Sequence, residues 1–431
     1  MPPFAATAAV AAATVAHPER LKQIELIKQT PGVLWQPALN PRFASEAPGS
    51  VKSWWGVKEN WKDVLNAALK SGAVKPFSSP GLTDAEIPDH FDSAEQWPQC
   101  AKVITDIRDQ SNCGCCWAFG AAEAASDRMC IASNGSLSFP LSAQDVCFCA
   151  SEDGCDGGDI TSPWQYIQDS GVVSGGQYQG TGPFGKGMCA DFSLPHCHHH
   201  GPQKDDPYPA EGKPGCPHEE SPQCPSACDS EAEDPHKTFA DDKYTFSGEI
   251  QSASGPTEIK KMIMAGGPVE TAFTVYSDFE NYDSGIYHHV SGEMAGGHAV
   301  KIVGWGVEGG VKYWKVANSW NPYWAEKGYF RIKEGDEGGV DDQVTGSSHT
   351  ARWHKKGSPG PAPGPGPAPG PAPAPGCGDE ATFCKDASVF DPKTDCALLA
   401  SFCRKTCRCC EADPPAACGG GEGEPAAELV V

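Results

Sequence analysis

Apolar positions change their spacing along the chain. The stretches Glu19–Gln29 and Val57–Leu69 have helix-like patterns. Further along, short runs rich in β-branched and aromatic residues occur at His298–Val303, Tyr313–Ala317 and Tyr329–Lys333, separated by Gly-rich turns. This change predicts an α+β fold in which a helical half precedes a β-rich half within one unit.

The N-terminus has a different pattern. Phe4–Ala16 is a run of 13 apolar or small residues, which is shorter than the roughly 20 residues that a membrane-spanning helix needs. Its length suits the apolar core of a signal peptide, although no basic residue precedes it. We therefore expect residues 1–16 to be a candidate signal peptide, with an Ala-rich tail as the alternative, and no membrane span elsewhere.

The C-terminal part is low in complexity. Gly357–Gly376 consists almost entirely of Gly, Pro and Ala, a composition that forms extended linkers and cannot pack a core. Eight cysteines follow between Cys377 and Cys418, in a segment too short to be stable without cross-links. We expect a linker over 351–376, a disulfide-rich module over 377–410 and a disordered tail over 411–431.

Composition narrows the class of function. The 431 residues are 39% hydrophobic, which is enough for at least one sizeable core. A net charge of −23 argues against nucleic-acid partners and against docking on anionic membranes. The 21 cysteines favour an oxidising compartment, so we expect a secreted or lysosomal/vacuolar protein.

One set of residues has the chemistry of a thiol protease. Cys116 opens a helix-like run, where the helix dipole favours a thiolate. Gln110 lies six residues earlier and could donate its amide to an oxyanion. His298 begins an apolar strand and could act as base and acid, while Asn318 could orient its ring and Trp320 could shield that hydrogen bond from water.

These segments resemble the papain-like cysteine proteases. The resemblance implies that Cys116 is the nucleophile, His298 the base and acid, Asn318 the orienting residue and Gln110 the oxyanion donor. It also implies a fold of two subdomains and no cofactor or metal. Cys115 departs from the pattern, because the family usually has Ser there.

Within that family the chain is most similar to the cathepsin B branch, over about 87–346. The resemblance implies a peptidase domain over 87–350 that hydrolyses proteins and peptides through an acyl-enzyme. The matching segments are Glu95–Cys100, Ser126–Arg128, Gly171–Gly176, Gly267–Glu270, Val275–Phe279, Gly285–Val290 and Gly292–Met294.

An occluding-loop insertion is also implied. Cys197 is followed by a His triplet in which His199 and His200 match the family's pair that binds the substrate's C-terminal carboxylate. Zinc binding is the alternative for such a triplet. In the family an acidic residue pairs with the first His, and Asp109 has that position; we group it with the substrate-binding residues.

The latch of this loop looks weakened. Tyr323 stands where the family has a second latching Asp, and the loop between Cys197 and Cys216 is longer than usual. We therefore expect a looser loop, with endopeptidase activity favoured over peptidyl-dipeptidase activity. Because the His199–Asp109 pair needs an imidazolium, neutral pH should loosen it further.

Substrate-binding positions follow from the same resemblance. It assigns Gly157, Gly158 and Trp320 to the substrate cleft. Gln343 replaces the Glu that lets Arg enter the pocket for the second residue before the scissile bond. Strand alternation directs Asp342 the other way, so we expect a more hydrophobic preference.

The resemblance further implies a disulfide framework. Cys224 should bond to Cys147 or Cys149, and Cys115 is left with the other of these two. The remaining implied pairs are Cys100–Cys130, Cys113–Cys155, Cys189–Cys228 and Cys197–Cys216.

Residues 17–86 contain no cysteine and resemble the short propeptide of this branch. Such a segment lies backwards through the cleft and inhibits its own enzyme, and Trp54 and Trp55 are candidates for its anchors. A helical N-terminal subdomain is the alternative. We expect acid to weaken the complex by neutralising carboxylates, and cleavage near Ile87 to release the enzyme.

The C-terminal module resembles the ShKT domain, with its closing motif at Phe402–Cys407. It lacks the Lys-Tyr pair of channel-blocking members, so we expect a tether or a binding appendage with an unknown ligand. A catalytically silent secreted protein that acts through this module is the alternative function. The implied pairs are Cys377–Cys410, Cys384–Cys403 and Cys396–Cys407.

Overall fold

The computed structural model describes residues 16–78, 81–196 and 217–357, which form a helical layer against a large twisted sheet. The helices are α1 (Pro18–Gln29), α2 (Trp61–Ser71), α3 (Ser93–Gln96), α4 (Ala101–Ile104), α5 (Cys116–Ala132), α6 (Ala143–Cys149), α7 (Ser162–Ser170) and α8 (Pro256–Gly266). The strands are β1 (Trp35–Pro37), β2 (Val74–Pro76), β3 (Phe91–Asp92), β4 (Tyr244–Ser247), β5 (Ile250–Ala253), β6 (Val269–Tyr276), β7 (Tyr282–Tyr287), β8 (Met294–Glu308), β9 (Val311–Ala317), β10 (Tyr329–Lys333), β11 (Val344–Ser347) and β12 (Arg352–Lys355).

Helix α5 is the centre of the helical layer. All but its last two residues are buried, because small residues such as Ala121 and Ala125 let neighbouring elements approach on every side. A Cβ on Gly120 would lie only 3.2 Å from the side chain of Glu270 on β6, so this glycine permits close contact between helix and sheet. Asp127 also reaches across to Lys301 of β8, at 2.8 Å.

The sheet has the order β1-β7-β10-β9-β8-β6-β11-β5-β2 among the described residues, with β3 paired to β8. Its centre is the long antiparallel ladder of β6, β8 and β9, and most residues of β6 and β8 are buried. The predicted helical half followed by a β-rich half is therefore confirmed, and the predicted strands lie within β8, β9 and β10.

The N-terminal segment, residues 17–86, supplies both edges of this sheet. Its strand β1 pairs antiparallel with β7, and its strand β2 pairs parallel with β5. Each edge is thus covered by a short strand from the segment, which satisfies backbone groups that would otherwise be open to water.

Two boundaries differ from the sequence-based expectation. The helix-like stretch at Val57–Leu69 begins only at Trp61, because Val57 makes bridges to Gly158 and Gly297 and is held in an extended conformation. Arg352–Lys355, assigned to the linker, instead pair with β4.

Four disulfides join the described residues. Cys100–Cys130, Cys113–Cys155 and Cys189–Cys228 match the implied framework, and Cys224 is bonded to Cys149. Cys115, Cys116 and Cys147 are free and buried. The pair Cys197–Cys216 and all cysteines of the C-terminal module lie outside the described residues.

None of the helices in the described ranges is long and apolar enough to span a bilayer.

Candidate active site

Cys116 lies at the first position of α5, where the helix meets the central strand β8. Its sulfur accepts a hydrogen bond from the backbone N–H of Ala299 at 3.4 Å and another from the backbone of Gly56. Ala299 directly follows His298, so the contact brings the candidate nucleophile to the backbone of the candidate base. The predicted pair therefore meets at the junction of the helical layer and the sheet.

One ring nitrogen of His298 is hydrogen-bonded to a neighbouring side chain, and the other has no such bond among the described residues. Its Nε2–H donates to Oδ1 of Asn318 at 2.8 Å, and the same oxygen accepts the N–H of Ser319 at 2.9 Å. Nδ1 is buried and has no hydrogen-bond partner among the described residues. The Asn318 contact thus selects the tautomer that leaves the Nδ1 lone pair available as a base.

An aromatic wall closes around the His298–Asn318 bond. The Trp320 ring lies 5.3 Å from the imidazole, as the sequence predicted for a shielding residue. On the other side, the Trp55 ring of the N-terminal segment is 5.8 Å from His298 in an edge-on arrangement. His298 is consequently fully buried, and water is excluded from its hydrogen bond to Asn318.

Gln110 is held rigidly beside the nucleophile. Its Oε1 accepts from the hydroxyl of Ser319 at 2.7 Å, and its Nε2 donates to the carbonyl of Cys113 at 2.8 Å. The same Nε2 is 3.5 Å from the carbonyl oxygen of Trp54. A carbonyl of the N-terminal segment therefore already lies against the amide that the sequence assigned to an oxyanion.

Burial changes the ionisation of the catalytic pair. It raises the pKa of Cys116 to about 12, against the two backbone hydrogen bonds that favour the thiolate. It also lowers the pKa of His298 to about 4; the Asn318 hydrogen bond opposes this and the Arg42 guanidinium adds to it. Both groups are therefore neutral near pH 6 while the N-terminal segment covers them.

The N-terminal segment passes through the cleft as an extended strand. The N–H of Val57 donates to the carbonyl of Gly297 at 3.0 Å, and the N–H of Lys58 donates to Gly158 at 2.9 Å. Gly158 in turn donates to the carbonyl of Gly56 at 2.9 Å, and the two strands run parallel. Gly158, which the sequence assigns to the substrate cleft, thus pairs with the backbone of the N-terminal segment.

Glycines make this close approach possible. A Cβ on Gly56 would come within 1.8 Å of the Gly114 carbonyl oxygen, and one on Gly157 within 2.9 Å of the Gly56 oxygen. Gly157 has φ of +96°, so it also needs the left-handed region. Its own N–H bonds to Gly154, so Gly157 shapes the cleft and makes no backbone ladder contact there.

Arg42 was missed by sequence reasoning, which found no motif around it. Its guanidinium carbon lies 3.1 Å from the centroid of the Trp54 ring and 5.3 Å from that of Trp320. Nη2 donates to the carbonyl of Ser111 at 2.9 Å. This buried cation therefore ties two aromatic rings of the site to the loop before Cys116.

The expected loop latch has a partner that the sequence did not indicate. Oδ2 of Asp109 accepts from Nδ2 of Asn321 at 3.0 Å, and Oδ1 accepts from the N–H of Ser111. Tyr323 is 39% exposed. His199 and His200 lie outside the described residues. In the sequence, the Asn-Pro step that begins at Asn321 is a turn signal that could have identified this partner of Asp109. The structure gives Asn321 a positive φ of 58°.

Gln343 lies against helix α2 of the N-terminal segment. Its Nε2 is 3.5 Å from Oδ1 of Asn66 on α2, and its backbone carbonyl accepts from the hydroxyl of Thr271. Asp342 pairs at 2.6 Å with Lys62, which lies one helical turn before Asn66, so both side chains contact α2. Both residues precede β11, so the strand alternation expected for them does not apply.

Within the described ranges, one group of side chains has the proximity of a metal site. The sulfurs of Cys113, Cys115 and Cys147 lie within 4.8 Å of one another. Cys113 is bonded to Cys155, however, and offers no thiolate while that bond is intact.

Comparisons with known proteins find a matching family and several relatives. The profile described as papain family cysteine protease matches residues 87–348. Cathepsin B-like cysteine proteinase 6 of Caenorhabditis elegans is 40% identical over 333 residues, which cover 75% of this chain and 83% of that protein. A cathepsin B-like cysteine proteinase of Schistosoma japonicum is 44% identical over 334 residues, or 75% of this chain and 89% of that protein.

Among solved structures, proCathepsin B S9 from Trypanosoma congolense matches with a TM-score of 0.59 and 28% identity. The match covers 78% of this chain and 99% of that chain. The similarity therefore extends over the whole of a structure that carries the "pro" designation.

Proposed function

Because the chain belongs to the papain family of cysteine proteases, in its cathepsin B-like branch, we propose that Cys116 and His298 carry out its peptide-bond hydrolysis. The papain-like α+β fold is confirmed by the same matches. The observation that carries the proposal is the position of the Cys116 sulfur at the Ala299 N–H, beside a histidine whose Nδ1 is open.

The reaction has two halves. In the first, the Cys116 thiolate attacks the carbonyl carbon, and His298 gives its Nδ1 proton to the leaving amine as the C–N bond breaks. In the second, His298 takes a proton from water, the resulting hydroxide attacks the thioester, and the C–S bond breaks to release the acid and restore the thiolate. Asn318 holds the ring in position for both transfers.

Charge on the tetrahedral intermediate needs fixed donors. The Gln110 amide and the N–H of Cys116 at the start of α5 suit this role, because the first N–H groups of a helix have no intrahelical acceptor. The approach of the Trp54 carbonyl to Gln110 supports the assignment, since this position attracts a carbonyl oxygen.

The N-terminal segment is proposed to be the propeptide that keeps the enzyme silent. It fills the cleft while running parallel to the strand at Gly158, and it buries Cys116 and His298 so that neither is charged near pH 6. Its removal would expose both groups to water and restore the ion pair. The loss of desolvation is the physical link between processing and activity.

The finer specificity follows from the sequence. We expect endopeptidase activity to exceed peptidyl-dipeptidase activity. His199 and His200 would bind C-terminal carboxylates, Asp109 would pair with His199, and Gln343 would give a hydrophobic preference. A secreted or lysosomal/vacuolar location suits the four disulfides. The ShKT-like module over 377–410 would serve as an appendage with its own ligand.

An active-site label tests the proposal. We expect an epoxide thiol-protease inhibitor to label the full-length protein only after acid incubation, with one label on Cys116. The Cys116→Ala variant should neither shorten in acid nor take up label. Equal shortening of both proteins would exclude autocatalysis, and labelling elsewhere than Cys116 would refute the assignment.

A further inference from the structure

Cys115 and Cys147 are two neighbouring thiols, one of which directly precedes the nucleophile in the chain. Cys115 precedes α5 and Cys147 lies within α6, and both are fully buried. Their side chains are in hydrogen-bonding contact, and the sulfurs lie within 4.8 Å of each other. The proposed hydrolysis uses neither residue.

The other cysteines around this pair, except Cys116, are already bonded as disulfides. The third sulfur of the cluster, that of Cys113, is bonded to Cys155. Three other disulfides join described residues of the same domain. Apart from Cys116, Cys115 and Cys147 are therefore the two cysteines of the described residues that remain unpaired, and they are in contact with each other.

Other partners for Cys115 are excluded by geometry or occupancy. A bond to the adjacent Cys116 would close a small strained ring and distort the peptide bond between them. Cys113 is committed to Cys155, and Cys149 to Cys224. Cys147 is the one remaining thiol within reach among the described residues.

We propose that Cys115 and Cys147 become joined by a disulfide during oxidative folding, in a bond that ties the residue before the nucleophile to α6. Two S–H bonds break, one S–S bond forms, and two protons and two electrons leave. The acceptor is a disulfide of the glutathione or protein class, whose own S–S bond is reduced to two thiols.

The bond must form before folding buries Cys115 and Cys147. Burial and the neighbouring Cys147 raise the pKa of the Cys115 thiol well above its ordinary value, so the folded protein holds little thiolate to react. The consequence for the enzyme is chemical selectivity. Once the pair is bonded, Cys116 is left as the sole thiol of the described residues.

Peptide mapping tests the bond directly. The test uses the full-length protein secreted from a eukaryotic host. The Cys116→Ser substitution prevents both autolysis and disulfide exchange by the active-site thiol. After N-ethylmaleimide blocks free thiols, digestion that includes cleavage after Phe148 separates Cys147 from Cys149. We expect a peptide containing Cys115 to be linked to one containing Cys147, and neither residue to carry maleimide.

Three results would overturn the proposal. The first is maleimide on both cysteines after denaturation without reductant. The second is a link from Cys115 to any other cysteine, and the third is stoichiometric zinc together with an open Cys113–Cys155 bond. The same mapping on the protein with native Cys116 should give the same linked peptide.

Variants give an independent readout. In the Cys116→Ser background, Cys115→Ser, Cys147→Ser and the double variant should each lower the Tm by about 5–10 °C. The single variants should also show the partner cysteine fully alkylated. A double variant with an unchanged Tm would contradict the bond. If these variants fail to fold, peptide mapping still decides the question, because it uses no substitution at Cys115 or Cys147.

Discussion

The N-terminal segment is held in two different ways on the two sides of Cys116. Before Gly56 the contacts are aromatic: Trp55 packs 5.5 Å from Trp320 and Arg42 stacks on Trp54. After Gly56 the contacts are backbone hydrogen bonds, from Val57 and Lys58 to glycines of the cleft. The first side is held by aromatic side chains, whereas the hydrogen bonds to the cleft on the second side are made by the backbone of the segment.

This difference separates inhibition from substrate binding. A site that must accept many substrates can rely on a backbone ladder, because every residue offers the same N–H and C=O groups. Durable inhibition needs buried surface that an ordinary substrate lacks, and Trp54 and Trp55 provide it. We therefore expect the strength of latency to lie on the aromatic side.

The largest effect is expected from Trp55→Ala. This ring is 8% exposed, and truncating a buried aromatic side chain costs about 3–5 kcal/mol. Even about 3 kcal/mol taken from the closed form would speed acid activation on the order of 100-fold. The half-time of processing of the full-length protein, followed by gel and by epoxide labelling, measures this.

Trp55→Phe is the matched control. It keeps a ring at the same position and should lose only part of the latency. An unchanged half-time for Trp55→Ala would place the inhibitory contacts on the backbone side and reverse the comparison.

Gly56→Ala tests the point where the two sides meet. The new Cβ would clash with the Gly114 carbonyl oxygen, and the segment would have to lift from the cleft. Overpacking of this kind costs about 1–3 kcal/mol, so we expect activation on the order of 10-fold faster. Equal half-times for Gly56→Ala and the parent protein would mean that the segment does not approach Gly114 this closely.

Gln343→Glu tests how the cleft selects its substrate. A carboxylate here would attract Arg at the second residue before the scissile bond, and a solvent-accessible ion pair contributes up to about 1 kcal/mol. We expect kcat/KM for an Arg-Arg substrate to rise about 5-fold relative to a Phe-Arg substrate. Gln343→Asn, which adds no charge, should leave the ratio unchanged; a shift in Gln343→Asn as large as in Gln343→Glu would show that charge is not the cause.

The same contrast explains what sequence could and could not predict. Cys116, His298, Asn318 and Gln110 stand in local motifs, so the central site was predictable and its members meet in the structure. Arg42 was not predictable, because its role depends on rings more than ten residues away in a segment whose folding is set by the cleft.

Local pattern also failed at Val57. Its apolar side chain suited an amphipathic helix, but pairing with Gly158 and Gly297 keeps the residue extended. Helix α2 therefore begins only at Trp61. The disulfide choice between Cys147 and Cys149 had the same limit, since one helical turn holds both, and only the packing of α6 decides which faces Cys224.

Arg42→Met tests whether the aromatic side also acts electrostatically. Arg42 lowers the pKa of His298, so removing the cation should raise that pKa from about 4 toward its ordinary value, while burial, the larger cause, still keeps the pKa low. The imidazolium form of His298 would therefore persist to higher pH in the variant. Histidine ¹⁵N NMR titration of the Cys116→Ala protein measures this, and an unchanged or lower pKa would contradict it.

Lys58→Ala is expected to have no measurable effect on activation. The side chain of Lys58 is exposed, while its N–H makes the hydrogen bond to Gly158 and is retained in the variant. A half-time within about 2-fold of the parent would fit an exposed side chain, whose replacement rarely costs more than about 0.5 kcal/mol. A large acceleration would show that the backbone side also recognises side chains, and the division at Gly56 would then have to be abandoned.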